Sequence, residues 1–478
     1  MRSSSSKTSD NVFFSRIYDG KLAQASYLIG CQTTGDALII DPNRDIAQYL
    51  RAAAAERLRI THVTETHIHA DFMSGARELA EKTGAKLLLS SEGGPDWQYA
   101  FAKSSNATML RNGDSFMLGR VRFDVMHTPG HTPEHLMFVL TDLPSGPHPV
   151  IAFTGDFVFV GDVGRPDLLE KAAKVANTME AGARDLWRSI ERFRALADHV
   201  QVWPGHGAGS ACGKALGAVP SSTVGYEKLV NWGVSAPSED VFVRGVLEGQ
   251  PEPPAYFARM KRLNRDGPPA IGELPAPHAM SADDFARHRN DGTVFVDLRK
   301  AKDFARAHVP GSINVPLTRS FTTYAGSVVP YDQPIAFIAQ DDAGVGVAEA
   351  ARDLALIGFA PSGAFAPPSI VARATDLASA PALEPAAVVA RLNAKVQLVD
   401  VRNSAERAEA HIPGSQHIPF PDVIARAAEF PRNEPVLVHC QTGARSAVAV
   451  SALRRAGVDA IDAGGIVQLA RAGLRTAS

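Results

Sequence analysis

Seven unusual positions recur along this chain at a constant offset of 103 residues. Asp297-Leu-Arg299 returns as Asp400-Val-Arg402. His308-Val-Pro-Gly-Ser312 returns as His411-Ile-Pro-Gly-Ser415, and Pro316 returns as Pro419. No gap is needed to align them. An acid, an arginine, a histidine and a Pro-Gly turn kept in register over that length mean two copies of one domain of about 100 residues. Each copy carries an apolar, strand-like run (294–298 and 396–401) that ends in Asp-x-Arg, then a helical run and the Pro-Gly turn.

The rest of the chain has a different rhythm. Between residues 12 and 265, strand-like runs at 37–40, 86–89, 121–125, 136–140 and 150–153 are broken by helical composition at 45–58 and 74–82. That alternation predicts a layered α/β or α+β domain. A length of 478 residues fits about three domains. Prolines 251, 253, 254, 268, 269, 275 and 277 read as an extended linker, and a weaker boundary falls at 361–368, with Pro381 and Pro385 beyond it. The predicted organisation is a flexible leader (1–11), a first domain (12–265) and two repeat domains (275–370 and 380–478).

A net charge of −2 gives no basic field for nucleic acid. No run reaches the 18 to 20 apolar residues, roughly, of a membrane span, and MRSSSSKTSD lacks the apolar core of a secretory signal. Three distant cysteines (Cys31, Cys212, Cys440) argue against a disulfide framework and for a reducing compartment, so the expected location is cytoplasmic.

The first domain concentrates potential metal ligands. Thr66-His67-Ile68-His69-Ala70-Asp71-Phe72 follows the apolar run 60–64. Downstream come Thr128-Pro-Gly-His131, Thr154-Gly-Asp156 and Trp203-Pro-Gly-His206, each directly after an apolar run. Imidazoles and carboxylates at successive strand ends can converge on one metal. Any one of these histidines alone would more simply be a structural residue; the ordered set is harder to explain that way.

This set resembles the His-x-His-x-Asp-His signature of the metallo-β-lactamase superfamily, over about residues 12–240. The resemblance implies an αββα sandwich with the site at the sheet edge. The last signature position is Phe72, which cannot coordinate, so a mononuclear site is expected instead of a dinuclear zinc site. Two imidazoles and one carboxylate with open positions opposite suit non-haem Fe(II) and O2 chemistry. The branch resembled is the persulfide dioxygenases. It implies one Fe(II) per chain held by His67, His131 and Asp156, with His69, Asp71 and His206 orienting the ligands and bound water. Arg165, in Asp162-Val-Gly-Arg165-Pro-Asp167, could hold a substrate carboxylate through its planar fork or could pair with Asp162 or Asp167. Cys212, in the glycine-rich run 205–213, resembles a cysteine of multidomain persulfide dioxygenases that carry two rhodanese-like units, which implies a gating or sulfur-relay role at the substrate site.

The second repeat copy carries a different group. The strand-like run 435–439 delivers Cys440, then Gln441-Thr442-Gly443-Ala444-Arg445-Ser446, and a helical run from 447 follows. A helix N-terminus, inward backbone N–H groups and Arg445 would stabilise a thiolate and then a persulfide anion. The six-residue Cys-to-Arg loop, Asp400-Val-Arg402, His411-Ile-Pro-Gly-Ser415 and Gly464-Gly465 resemble the rhodanese family. The resemblance implies catalysis by Cys440 and Arg445, with substrate held by Gln441, Thr442, Gly443 and Ala444. Ile466 replaces the aromatic residue usual after the double glycine. The first copy has no cysteine and places Asp341 and Asp342 at its loop. It is expected to be a catalytically inactive copy kept for packing or docking, with ligand binding as the alternative; a docking role points toward homo-oligomerisation.

Both resemblances together imply an αββα metallo-β-lactamase domain followed by two α/β rhodanese-like domains. They imply O2-dependent oxidation of a thiol persulfide (glutathione, coenzyme A or cysteine type) to sulfite and thiol, and formation or use of thiosulfate at Cys440. The alternatives are a zinc thioester hydrolase of glyoxalase II type fused to a sulfurtransferase, and a non-catalytic persulfide carrier.

Overall fold

The computed structural model describes residues 12–171, 178–214 and 216–477; the leader expected at 1–11 lies outside them. The chain forms two compact units. One comprises the residues up to Gln250 together with Phe257–Ala270, and the other comprises Pro251–Tyr256 with Ile271 onward.

The first unit is built on two six-stranded sheets. One runs in sequence order through Val12–Asp19, Gln24–Cys31, Asp36–Ile40, Arg59–Thr64, Lys86–Ser90 and Thr108–Leu110. The other runs through Ser222–Thr223, Gln201–Pro204, Ile151–Gly155, Leu136–Asp142, Val121–His127 and Ser115–Leu118. The period-2 alternation of strand side chains explains how each sheet buries both faces. Leu38 and Ile40 face Phe123, Phe138 and Phe153 of the opposite sheet. Their neighbour Ile39 turns outward with Leu28 and Val63, against Tyr49 and Ala53 of the helix Ile46–Ala55 and Leu79 of the helix Ala76–Thr83. On the second sheet Val139 and Ala152 turn outward in the same way, against Leu186, Ile190 and Phe193 of the helix Met179–Arg194 and Phe242 and Val246 of the helix Glu239–Leu247. The layers are helix, sheet, sheet, helix: the αββα architecture expected from the signature.

The second unit holds the two repeats, each with a parallel sheet. Five strands run in the order His278–Ala279, Ala364–Ala366, Ile335–Ile338, Val294–Asp297, Ile313–Asn314. Four run in the order Gln416–His417, Gln397–Asp400, Val436–Cys440, Ala460–Gly465. The Asp-x-Arg repeat is an ion pair in both copies: Arg299 donates to Asp297 and Arg402 to Asp400, with both carboxylates fully buried. The proline-rich stretch is more than linker, because it contains the helix Phe257–Asp266, whose Phe257 and Met260 are buried. No helix among the described residues is long and apolar enough to cross a membrane.

Candidate metal centre and thiol site

Four strand ends build the metal centre. The loop after Arg59–Thr64 carries His67, His69 and Asp71, and the loop after Val121–His127 carries His131. Asp156 follows Ile151–Gly155, and His206 follows Gln201–Pro204. All six are buried. The approach is tight enough to require glycine at Gly155, which has φ +51°, and where a Cβ would lie 2.6 Å from His135 Nε2 and 2.7 Å from Thr66 Oγ1.

His67, His131 and Asp156 each offer one ligand atom, and these atoms lie within 4.8 Å of one another. Asp156 Oδ2 is 3.9 Å from His67 Nε2 and 3.6 Å from His131 Nε2. It is buried with no hydrogen-bond partner among the described residues, and so is His131 Nδ1. An unpartnered buried carboxylate oxygen between two imidazole nitrogens is costly unless a cation completes it. The residues present therefore fit a metal ion.

The surroundings decide which atoms face the centre. Thr66 N–H and Thr66 Oγ1–H donate to the Asp41 carboxylate at 2.6 and 2.8 Å. The Thr66 oxygen then accepts from His67 Nδ1–H at 3.0 Å, which leaves His67 Nε2 free for a metal. Burial first, and the nearby imidazoles second, push His67 well below the ordinary histidine range; burial also lowers His131. Both rings are thus kept neutral, as ligation requires. His69 points elsewhere. Burial opposes its charge, but Asp41, 3.1 Å from His69 Nε2, outweighs that and raises it to about 9. Phe72 is fully buried and lies against the His69 ring, 4.3 Å between centroids.

His206 bridges two acids. Nδ1–H donates to Asp156 Oδ1 and Nε2–H to Asp71 Oδ2, both at 2.7 Å. Burial alone would discharge the ring, but Asp156 and Asp71 hold it well above the ordinary histidine range. Cys212 is buried beside this bridge, and Asp71, His206 and Cys212 also bring their ligand atoms within 4.8 Å. Burial, then Asp71 and Asp156, push its thiol well above 9, so in this setting it is a thiol and not a thiolate. The expected contact of Arg165 with a substrate carboxylate does not match its placement. Arg165 is fully buried, its fork donates to both oxygens of Asp167, and it reaches Ala211 O, which anchors the Cys212 loop.

Two residues important here were not picked out from sequence. Asp41 follows the strand Asp36–Ile40 in Ile-Ile-Asp-Pro, a strand-end acid like those that were noticed. His135 accepts from Asp156 N–H at 3.2 Å and donates from Nδ1 to Thr128 Oγ1 at 2.8 Å. The density of histidines at 127, 131 and 135 was its only signal.

The thiol site lies in the second unit. Cys440 ends the buried strand Val436–Cys440, with three residues between it and the helix Ala444–Arg455. Gly443 N–H donates to Cys440 Sγ at 3.1 Å, from a left-handed conformation with φ 102°. The Gly464-Gly465 pair makes room: a Cβ on Gly465 would lie 2.7 Å from Gln441 O. Arg445 grips both oxygens of Glu406 at 2.7 and 2.6 Å, so the fixed positive charge beside Cys440 is held in place by a carboxylate. Arg402 NH1 donates to Gln441 Oε1 at 3.3 Å. A cavity of about 520 Å³ opens beside the loop, lined by Glu406, Gln441, Ile466, Val467 and Arg471 among others. In the first copy Ala339 occupies the place of Cys440, because Ile338 pairs with Asp297 as His439 pairs with Asp400. Seven residues, not three, then separate it from its helix at Val347.

Comparisons with known proteins agree with this layout. Residues 19–206 match the family model described as metallo-beta-lactamase superfamily. Residues 281–361 and 384–471 match the model described as rhodanese-like domain. A solved metallo-beta-lactamase from Staphylococcus aureus subsp. aureus COL is 42% identical, with a TM-score of 0.69, over 75% of this chain and 100% of that one. A beta-lactamase hydrolase-like protein of Xylella fastidiosa (strain Temecula1 / ATCC 700964) is 26% identical over 300 residues, 55% of this chain and 62% of the relative. The persulfide dioxygenase ETHE1, mitochondrial, of Bos taurus is 28% identical over 200 residues, 41% of this chain and 68% of the relative. The chain thus spans less than two thirds of the length of the Xylella relative.

Proposed function

As the chain belongs to the metallo-β-lactamase superfamily and continues into two rhodanese-like domains, we propose that it oxidises a low-molecular-weight thiol persulfide with O2 and exchanges the sulfur products at Cys440. The observation that carries this reading is the His67–His131–Asp156 cluster, two imidazoles and one carboxylate whose ligand atoms lie within 4.8 Å of one another. Phe72 stands where a further imidazole would be needed, and His206 is spent between two carboxylates. A two-imidazole, one-carboxylate set is the arrangement of Fe(II) oxygenases, and the likeness to a persulfide dioxygenase supports it. When bound, the iron would supply O2 activation and a site for the terminal sulfur.

The chain's own residues prepare that chemistry. Neutral His67 and His131 and ionised Asp156 form the ligand set. Asp41, through Thr66, sets the His67 tautomer, and the Asp71–His206 bridge orients Asp156. The overall change consumes persulfide, O2 and water and yields thiol and sulfite. The burial of Cys212 against Asp71 and His206 supports a gating or sulfur-relay role at this centre. At Cys440, a sulfane sulfur held as the cysteine persulfide is attacked by sulfite. The S–S bond breaks, thiosulfate leaves and the cysteine thiolate is restored; the reverse reaction loads Cys440 from thiosulfate. The cavity beside the loop is large enough for an organic thiol as well as for the small anion. Three free, buried cysteines fit a reducing compartment.

Cys440→Ser tests the division of labour. O2-dependent persulfide consumption continues and the product shifts from thiosulfate to sulfite. Complete loss of O2 uptake would contradict two independent sites. Relatives named hydroxyacylglutathione hydrolase, 28% identical in Erythrobacter litoralis and Rhodospirillum rubrum, favour a second reading, thioester hydrolysis, with zinc as the metal proposed for it, and metal analysis separates the two.

A further inference from the structure

The loop that carries His67, His69 and Asp71 is held by a residue almost two hundred positions away, beyond the matched metallo-β-lactamase segment. We infer that Asn264, on the helix Phe257–Asp266, is a positioning residue for the metal-ligand loop, and that the first domain's site is incomplete without the segment 257–270. The inference rests on the reading that His67, His131 and Asp156 hold a metal.

Asn264 is 1% exposed. Nδ2–H donates to His69 O at 2.8 Å and to Phe72 O at 2.7 Å, and Oδ1 accepts from Ser74 N–H at 3.0 Å. Both amide protons and the carbonyl are used, and only one orientation of the amide satisfies all three contacts. The three partners flank Asp71, the acid that fixes His206. The loop backbone here is neither helix nor sheet, so its buried His69 and Phe72 carbonyls have no ladder to join.

The helix is itself firmly seated. Met260 and Phe257 are buried, Ala100 N–H donates to Arg265 O at 2.8 Å, and Lys261 Nζ lies 3.3 Å from the Trp97 ring centroid. Just beyond it, Arg44 NH2 donates to Pro269 O at 2.7 Å. The clamp therefore stands on a rigid base, and nothing in its composition as a proline-flanked stretch advertises it. The helix lies beyond the matched family segment, which ends at residue 206, yet belongs to the same compact unit.

The test uses the full chain with Asn264→Asp, which keeps the shape but replaces both donors with an acceptor, and Met260→Ala, which opens a cavity under the same helix while leaving the Asn264 amide in place. Hydrogen exchange of peptides spanning 66–75 is read in metal-free protein. Fe(II) affinity is read by competition with a chelator, circular dichroism and melting control for folding of the first unit, and thiosulfate turnover at Cys440 controls for the second. Asn264→Asp speeds loop exchange, weakens Fe(II) binding by about 10- to 100-fold and leaves thiosulfate turnover unchanged. Met260→Ala lowers the melting temperature but keeps Fe(II) affinity close to that of the unaltered chain. Unchanged loop exchange in Asn264→Asp, or an equal loss of affinity in Met260→Ala, overturns the inference. If the unaltered chain binds no Fe(II), the metal reading fails, and the exchange measurement alone decides whether Asn264 clamps the loop.

Discussion

His206 donates Nδ1–H to Asp156 Oδ1 at 2.7 Å, and this contact decides which oxygen of Asp156 remains for a metal. Oδ2 is left unpartnered between His67 and His131. The second imidazole nitrogen is anchored on Asp71, so the ring cannot turn without breaking two charge-assisted bonds. In the proposed centre His206 and Asp71 shape the ligand set by fixing Asp156 through these two bonds.

Asp71→Asn should therefore weaken metal binding without abolishing it. The expected loss is about 10- to 100-fold in Fe(II) affinity, with thiosulfate turnover at Cys440 unaffected. Asp156→Asn, which removes the charged ligand itself, should leave no measurable iron after desalting. Equal effects of the two substitutions, read by metal titration, would mean that Asp71 is itself a ligand.

The Arg445–Glu406 pair makes a prediction for the thiol site. Glu406→Gln removes the carboxylate that orients the guanidinium, though Arg445 keeps its charge. The kcat/KM for thiosulfate should fall by about tenfold, and O2-dependent persulfide consumption should be untouched. Steady-state assays of the two activities on one preparation check this.

The first repeat should resist revival by a single change. Ala339→Cys in a Cys440→Ser background supplies a cysteine at the equivalent strand end. The following loop is four residues longer, and Asp341 and Asp342 stand in it. No thiosulfate turnover is expected. Turnover comparable to the unaltered chain would show that loop length is immaterial.

His439 makes the Cys440 strand acid-sensitive. Burial lowers its pKa to about 4, although Asp400 opposes the shift. The unfolded chain binds the proton near pH 6.5, so folded-state stability is lost as pH falls from about 6.5 toward 4. Between pH 7 and 5 this should cost about 2 kcal/mol of local stability. Hydrogen exchange of Val436–Cys440, corrected for its intrinsic pH dependence, should show the loss, and His439→Gln should flatten it.

Much of this was legible in sequence because the groups that carry chemistry sit at or just beyond strand ends. The runs ending in His67, His131, Asp156, His206 and Cys440 share that grammar, and the 103-residue repeat exposed the second unit. What stayed hidden depends on long-range packing. Asp41 and His135 act through hydrogen bonds that no spacing encodes. Arg165 offered two partners, Asp162 and Asp167, and only the folded loop chooses Asp167. The helix around Asn264 was masked by its flanking prolines, because local composition says nothing about the surface a short segment will find.

The most direct test is to measure metal content and O2 uptake together on one anaerobically purified sample. The account predicts about one iron per chain and O2 consumption on adding glutathione persulfide or another thiol persulfide. Two zinc ions per chain with no O2 uptake would contradict it, and would make thioester hydrolysis the chemistry of this site.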